Sequence, residues 1–274
     1  MAFLGRSWVR IAKDAQKAMT LELTPIPCLT DNYAWLWHDT ATDTVVVVDV
    51  PEAAPVLKVL TDRRWQLHHI LITHHHADHI AGVEALAQAT GAKVAGAAAD
   101  AHRLPPLDHP VAPGDVLHLG MEAAQVIAAD GHTLGHIAWY LPGAGLLFSG
   151  DSLMSWGCGR LFEGTPAQMF DTLTRLAALP PETRVCSGHE YTAANGRFAL
   201  SLEPGNGRLH DRMDRVTALR LAGEPSLPVT LGEERATNPF LRADDAALRA
   251  ALGLPGDAAP LAVFTAARAR KDRF

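Results

Sequence analysis

Cysteine is scarce. Cys28, Cys158 and Cys186 are the whole complement in 274 residues, too few and too scattered for a disulfide framework or a zinc knuckle. A reducing compartment, and so a cytoplasmic location, is the expectation. Long apolar runs are missing as well: no stretch approaches the roughly 18 residues of a membrane span, so no membrane partner is expected. Basic excess is absent, since 24 Lys and Arg face 30 Asp and Glu for a formal charge of −6. That balance argues against a general nucleic-acid binder, which needs a phosphate-facing basic surface. The first twenty residues lack the continuous apolar middle of a secretory signal. They read as an N-terminal extension, either ragged or a short amphipathic helix with Trp8 and Ile11 on one side, and patterned sequence begins just after Met19.

What is present is an ordinary globular composition, 48% apolar and 20% charged, long enough for a substantial core. The pattern reads as an α/β protein. Apolar runs at Tyr33–Trp37 and Val45–Val50 form hairpin strands, and the segment PEAAPVLKVLTDR that follows is helical. His68–Thr73 is another short buried strand. Ala81–Thr90 is a helix closed by Gly91, and KVAGAAAD a strand and turn. Short β runs follow at Val116–Leu119, Ala124–Ala128, Ile137–Leu141 and Leu146–Ser149. A helix over Gln168–Leu179 is stopped by Pro180 and Pro181, and Arg184–Ser187 is the last strand. Beyond Tyr191 the β pattern fades into helical segments at Arg208–Ala222 and Asp244–Leu252. Three parts are therefore expected: an extension over 1–20, a body over 21–190 and a mostly helical tail over 191–274.

The densest chemistry is Thr73-His74-His75-His76-Ala77-Asp78-His79. At the end of a strand, His74 and His76 can point the same way, while Asp78 and His79 are displaced towards a neighbouring position, so one loop can feed two adjacent metals. Imidazole and carboxylate donors suit zinc, iron or manganese, and no thiolate nearby favours a softer ion. Gly131-His132, Gly150-Asp151 and Gly188-His189 each put a glycine directly before a candidate ligand at an expected strand end, where a tight turn costs glycine little. Any one of the 14 histidines is more often a surface or packing residue than a ligand; the set together is hard to treat as chance. His75 reads as a spacer and His136 as structural. Trp139, Tyr140 and Trp156 read as packing residues, and Cys158, with no evident base, as a poor nucleophile.

THHHADH resembles the THxHxDH signature of the metallo-β-lactamase superfamily, whose fold is an αββα sandwich of two mixed β-sheets. The resemblance implies that His74, His76 and His132 hold a first metal, that Asp78, His79 and His189 hold a second, and that Asp151 bridges both. DNYAWL at 31–36, GHTLGH at 131–136, GDSLMSWGCGRLFEGT at 150–165, GHEYTAANGRFA at 188–199, NPFLR at 238–242 and RARKDRF at 268–274 are similar to the hydroxyacylglutathione hydrolases, the glyoxalase II family. Within that family the resemblance implies a glutathione thioester as partner and two divalent metals as cofactors, zinc first, with iron or manganese accepted by the same ligands. It also implies substrate contacts at Arg160, Phe162, Tyr191, Arg268 and Lys271, with the helical tail completing the glutathione site. Two positions depart from the family pattern: Phe162, often tyrosine there, and Asp130, where proline is common.

The chemistry that follows is hydrolysis by a water activated between two cations, with Asp78 helping to orient it and the thiol departing as a stabilised thiolate. Rival readings are a mononuclear persulfide dioxygenase, a small-molecule esterase or lactonase on the same scaffold, and a non-catalytic metal-binding protein. The oligomeric state stays open.

Overall fold

The computed structural model describes residues 21–274. The expected N-terminal extension, with Trp8 and Ile11, lies outside the described residues. Two six-stranded mixed sheets face each other. The first runs β1 (Leu21–Cys28), β2 (Asn32–Asp39), β3 (Thr44–Val48), β4 (Leu67–Leu71), β5 (Lys93–Ala97) and β6 (His109–Val111), in that spatial order. Its first three strands are antiparallel and the rest parallel. Helices α1 (Ala53–Arg63), α2 (Ala77–Ile80) and α3 (Val83–Thr90) belong to its crossovers.

The second sheet holds β7 (Val116–Leu119), β8 (Glu122–Ala128), β9 (Ile137–Leu141) and β10 (Leu146–Gly150). A small hairpin follows, β11 (Leu153–Met154) with β12 (Gly157–Cys158), before β13 (Arg184–Ser187) and β14 (Val229–Thr230). The spatial order is β14-β13-β10-β9-β8-β7. Helix α4 (Pro166–Ala177) connects β12 to β13, and the tail adds α5 (Thr192–Leu202), α6 (Gly207–Leu221), α7 (Leu231–Thr237), α8 (Ala246–Ala251) and α9 (Pro260–Lys271). These are the two mixed sheets with flanking helices and a helical C-terminal region that the sequence resemblance implied.

The period-2 geometry of a strand explains why β2 and β3 read as unbroken apolar runs. Tyr33, Trp35 and Trp37, with Val46 and Val48, face the inter-sheet core with Val126, Trp139 and Phe148. Ala34, Leu36, Val45 and Val47 point the other way, onto Val56 and Leu60 of α1 and Val83 and Leu86 of α3. Two buried indoles pair their N–H groups across the sandwich: Trp35 Nε1 donates to the Ser187 carbonyl at 2.9 Å and Trp139 Nε1 to the Ile72 carbonyl at 3.1 Å.

Helix α4 begins two residues before the expected start. Thr165 forms a capping box with Gln168 and Pro166 takes the first turn, where its missing N–H costs nothing. The tail is less separate than its composition indicates. Its β14 pairs antiparallel with β13 and extends the second sheet, and Phe198, Phe240 and Phe264 join the inter-sheet core cluster. Among the described residues no helix is long and apolar enough to cross a membrane.

Candidate metal centre and its cleft

Every expected ligand sits where a strand ends or just beyond it. The loop after β4 carries His74 and His76, and α2 carries Asp78 and His79. His132 lies between β8 and β9, Asp151 directly follows β10, and His189 follows β13. Two of the preceding glycines have a packing reason for being glycine. A Cβ on Gly188 would stand 2.5 Å from the His79 ring and 2.6 Å from Asp151 Oδ1. One on Gly150, at φ +49°, would stand 2.6 Å from Thr73 Oγ1. A larger residue at Gly188 would push on two ligands directly, and one at Gly150 on the Thr73 and His136 side chains behind them.

The side chains converge. His74 Nε2 lies 3.1 Å and His132 Nε2 3.0 Å from His76 Nδ1. The donor atoms of His74, His76 and His132 form one group within 4.8 Å, and those of Asp78, His79 and His189 form another. A third group joins His74, His79 and Asp151. Asp151 stands between the two sets, with Oδ1 3.4 Å from His79 Nε2, and Oδ2 3.5 Å from His132 Nε2 and 3.4 Å from His189 Nε2. Tetrahedral zinc at its usual distance of about 2.0–2.1 Å requires nitrogens roughly 3.3–3.4 Å apart, close to the spacing of the first triad. His79 Nε2 and Asp151 Oδ1 are buried without a hydrogen-bond partner, a cost that a cation between them would remove. The donor set therefore fits a binuclear metal-binding site.

The opposite edges of the His74, His79, His132 and His189 rings are fixed by partners to which the motif reading gave no such role. Asp49 is the main one. Its Oδ2 takes His79 Nδ1 at 2.8 Å and the Thr73 hydroxyl at 2.8 Å, and its Oδ1 accepts from the Thr73 backbone N–H at 2.8 Å. The same Thr73 hydroxyl lies 3.0 Å from His74 Nδ1, so one carboxylate orients a histidine of each set. Asp31 holds His189 Nδ1 at 2.8 Å, the Arg160 carbonyl holds His132 Nδ1 at 2.8 Å, and Asn32 Nδ2 donates to Asp78 Oδ2 at 3.1 Å. Such partners fix tautomer and ring direction. The signals were present in the sequence as an aspartate directly after a run of four valines and as the Asp-Asn pair opening DNYAWL.

His75 turns away as expected, towards Asp100 at 3.3 Å and Glu163 at 3.5 Å. His136 is structural: its Nε2 accepts from the Asp151 backbone N–H at 3.1 Å, and its ring stacks on His74.

Burial pushes His74, His76 and His132 below the ordinary histidine value, towards the neutral, ligating form. His79 and His189 go the other way. Burial opposes their charge, but Asp151 with Asp49 outweighs it at His79, and Asp151 with Asp78 holds His189 up at about 10. The carboxylates that would keep a proton there are the field that favours a cation. His189 in turn holds Asp78 well below the usual carboxylate range.

A cleft of about 510 Å³ opens over the donors, and all five expected substrate-contact residues line it. Arg160 is exposed. Phe162, 63% exposed, presents its ring edge-on to His76 and His132 at 5.6 and 5.2 Å. Tyr191 stacks on His189 with ring centroids 4.7 Å apart, and its hydroxyl is raised to about 12 by burial and the nearby aspartates. Lys271 is pushed down to about 8 by burial and by Arg268, Arg197 and Arg160.

Arg268 differs from a free substrate clamp. It is buried, donating to the Cys158 carbonyl at 2.9 Å and to Asp272 at 2.7 and 3.0 Å. Much of its hydrogen-bonding capacity is already spent, on the Cys158 carbonyl of the cleft wall and on Asp272. The Cys158 thiol is buried and raised by that burial, in keeping with no nucleophilic role.

Residues 39–189 match the model of the metallo-beta-lactamase superfamily, and residues 190–274 match that of the hydroxyacylglutathione hydrolase C-terminus. The hydroxyacylglutathione hydrolase of Cereibacter sphaeroides is 57% identical over 256 residues, covering 93% of this chain and 100% of that one. The hydroxyacylglutathione hydrolase of Methylococcus capsulatus is 48% identical over 254 residues, covering 93% and 99%. Among solved structures, ETHE1 from Myxococcus xanthus superposes with a TM-score of 0.62 at 27% identity, over 91% of this chain and 98% of that one. TTHA1623 in a di-iron-bound form gives 0.56, also at 27% identity, over 80% and 100%.

Proposed function

The chain belongs to the hydroxyacylglutathione hydrolase family of the metallo-β-lactamase superfamily, and we propose that it hydrolyses S-2-hydroxyacylglutathione thioesters, S-D-lactoylglutathione among them, to glutathione and the 2-hydroxy acid. The observation that carries this reading is a single cleft with two donor triads meeting at Asp151 on its floor and the cations Arg160 and Lys271 on its wall.

On this reading His74, His76 and His132 hold one metal, Asp78, His79 and His189 the other, and Asp151 belongs to both. When bound, the two cations supply Lewis acidity and lower the pKa of a water towards neutrality. Asp78, with 43% of its side chain exposed, is placed to orient that water. Residues 21–190 then form the catalytic body, and 191–274 complete the glutathione side. Glutathione carries carboxylates, so Arg160 and Lys271 supply the local positive charge that a net acidic protein otherwise lacks. Tyr191, protonated throughout the working range, donates to a peptide carbonyl. Arg268 acts mainly by holding the wall from which Arg160 projects. The departing thiol has an intrinsic pKa of about 8.5, so no dedicated strong acid is needed.

Zinc is the proposed metal, and iron or manganese suit the same nitrogen and oxygen donors. The test is direct. Purified, metal-replete protein is expected to release thiol and D-lactate from S-D-lactoylglutathione. Full occupancy with no hydrolysis would remove the assignment, and oxygen uptake with glutathione persulfide would put a dioxygenase in its place.

A further inference from the structure

One residue beside the cleft is held in a conformation that its side chain disfavours. In the β11–β12 hairpin Leu153 pairs with Cys158 and Met154 with Gly157, leaving Ser155 and Trp156 as a two-residue connection. Trp156 is fully buried with φ +59°, while Ser155 is not among the positive-φ residues. A positive φ at only the second central position is what a type II turn asks of glycine, and two-residue hairpins favour other turns. A bulky residue stays there only if its surroundings over-determine it.

The turn is held by Asn195, Arg212, Glu234, Thr237 and Asn238. Glu234 Oε2 accepts from the Trp156 backbone N–H at 2.9 Å, and the Thr237 carbonyl accepts from its indole at 3.1 Å. The Arg212 guanidinium lies 4.3 Å above the ring and donates to Ser155 Oγ at 2.9 Å. Asn195 donates to the Ser155 carbonyl at 2.9 Å, and Asn238 to the carbonyls of Met154 and Gly157 at 3.2 and 3.0 Å. Arg212 and Glu234 are ion-paired with each other, and both are almost wholly out of water. A buried pair of this kind is a weak source of net stability, which leaves its geometric role to be explained.

The other side of the same hairpin is cleft wall. Met154, Cys158, Gly159 and Arg160 all line the cavity. Gly159 passes so close to the Asp151 carbonyl that a Cβ would stand 2.0 Å from it. The wall meets the metal donors at the Arg160 carbonyl, and the His132 loop has its own ties: its carbonyl accepts from the N–H groups of Phe162 and Glu163 at 3.2 and 3.3 Å.

We propose that Glu234, with Arg212, is a positioning pair: through Trp156 it sets the wall that presents Arg160 to the thiol half of the substrate, and so governs selectivity for glutathione without touching substrate or metal. The inference rests on the glutathione-thioester reading of the cleft.

The test compares full-length, metal-replete wild type with Glu234→Gln on two substrates, S-D-lactoylglutathione and the truncated S-D-lactoyl-N-acetylcysteamine. A double variant, Glu234→Leu with Arg212→Met, leaves no buried charge unpaired and guards against a folding failure of the single one. Both variants are expected to lose roughly tenfold in kcat/KM on the glutathione thioester, about what one charge-assisted hydrogen bond is worth. The loss should appear mainly in KM, with turnover of the truncated thioester and metal content kept. A proportional fall on both substrates, or an unchanged ratio between them, overturns the inference. A wild type that shows no preference for the glutathione thioester overturns instead the reading on which it rests.

Discussion

The floor and the wall of the cleft are built on opposite plans. On the floor, donors come from strand ends, and the opposite edges of the His74, His79, His132 and His189 rings are held at 2.8–3.0 Å by Thr73, Asp49, the Arg160 carbonyl and Asp31. On the wall, Arg160, Phe162 and Tyr191 stand in partial or full exposure, and Arg268 and Lys271 arrive from the last helix. The floor is preorganised because metal chemistry tolerates little displacement. On the proposed reading the wall receives a flexible, charged peptide, for which long side chains on a rigid support suffice. Damage to the floor should therefore abolish turnover, whereas damage to the wall should be graded and confined to binding.

The strongest way to break that contrast is Asp151→Ala. Asp151 lies within 3.5 Å of donors from both sets, so on the proposed reading its removal takes a ligand from both positions and deprives His79 and His189 of the carboxylate they share. Turnover is expected to fall to background, and elemental analysis should find fewer than two metals per chain. Unchanged turnover would mean that the floor is not organised around this carboxylate.

How legible each plan is in sequence follows from the same difference. The floor is local. Four donors and their spacing lie within THHHADH, and each of the other three follows a glycine at or just past a strand end. Its outer supports are not local, because Asp49 reaches Thr73 and His79 only once β3 and β4 lie parallel. The sheets were readable because β2 and β3 are buried on both faces. The tail was the hardest part. Helix α5 hides behind small and polar residues, with Asn195 and Gly196 buried for the Trp156 turn. The two-residue β14 is too short to carry a period. Trp156 read simply as packing, since no pattern announces a positive φ at tryptophan.

On the wall, Lys271→Met removes one charge and leaves the floor alone. KM for the glutathione thioester is expected to rise roughly tenfold with kcat nearly kept, the usual worth of a single charged contact. The pH profile sharpens this. Lys271 titrates at about 8 because burial and three arginines disfavour its charge. The ammonium form, which pairs with a carboxylate, prevails below that value and is lost above it. Wild-type KM should therefore climb as pH passes about 8, and the Met variant should lack that rise. A climb of equal size in both would assign the titration to another group.

The smallest expected effect concerns Phe162. Its ring covers the edges of His76 and His132 and stands at the cleft mouth with 63% of its surface in water. A ring so largely in water can take a para hydroxyl at little desolvation cost. Phe162→Tyr should therefore keep kcat and metal content while lowering KM for the glutathione thioester by about two- to tenfold, the range of one neutral hydrogen bond. KM for a truncated thioester should not move. If both substrates gain equally, Phe162 acts on the acyl half beside the metals, and the boundary between floor and wall runs through its ring.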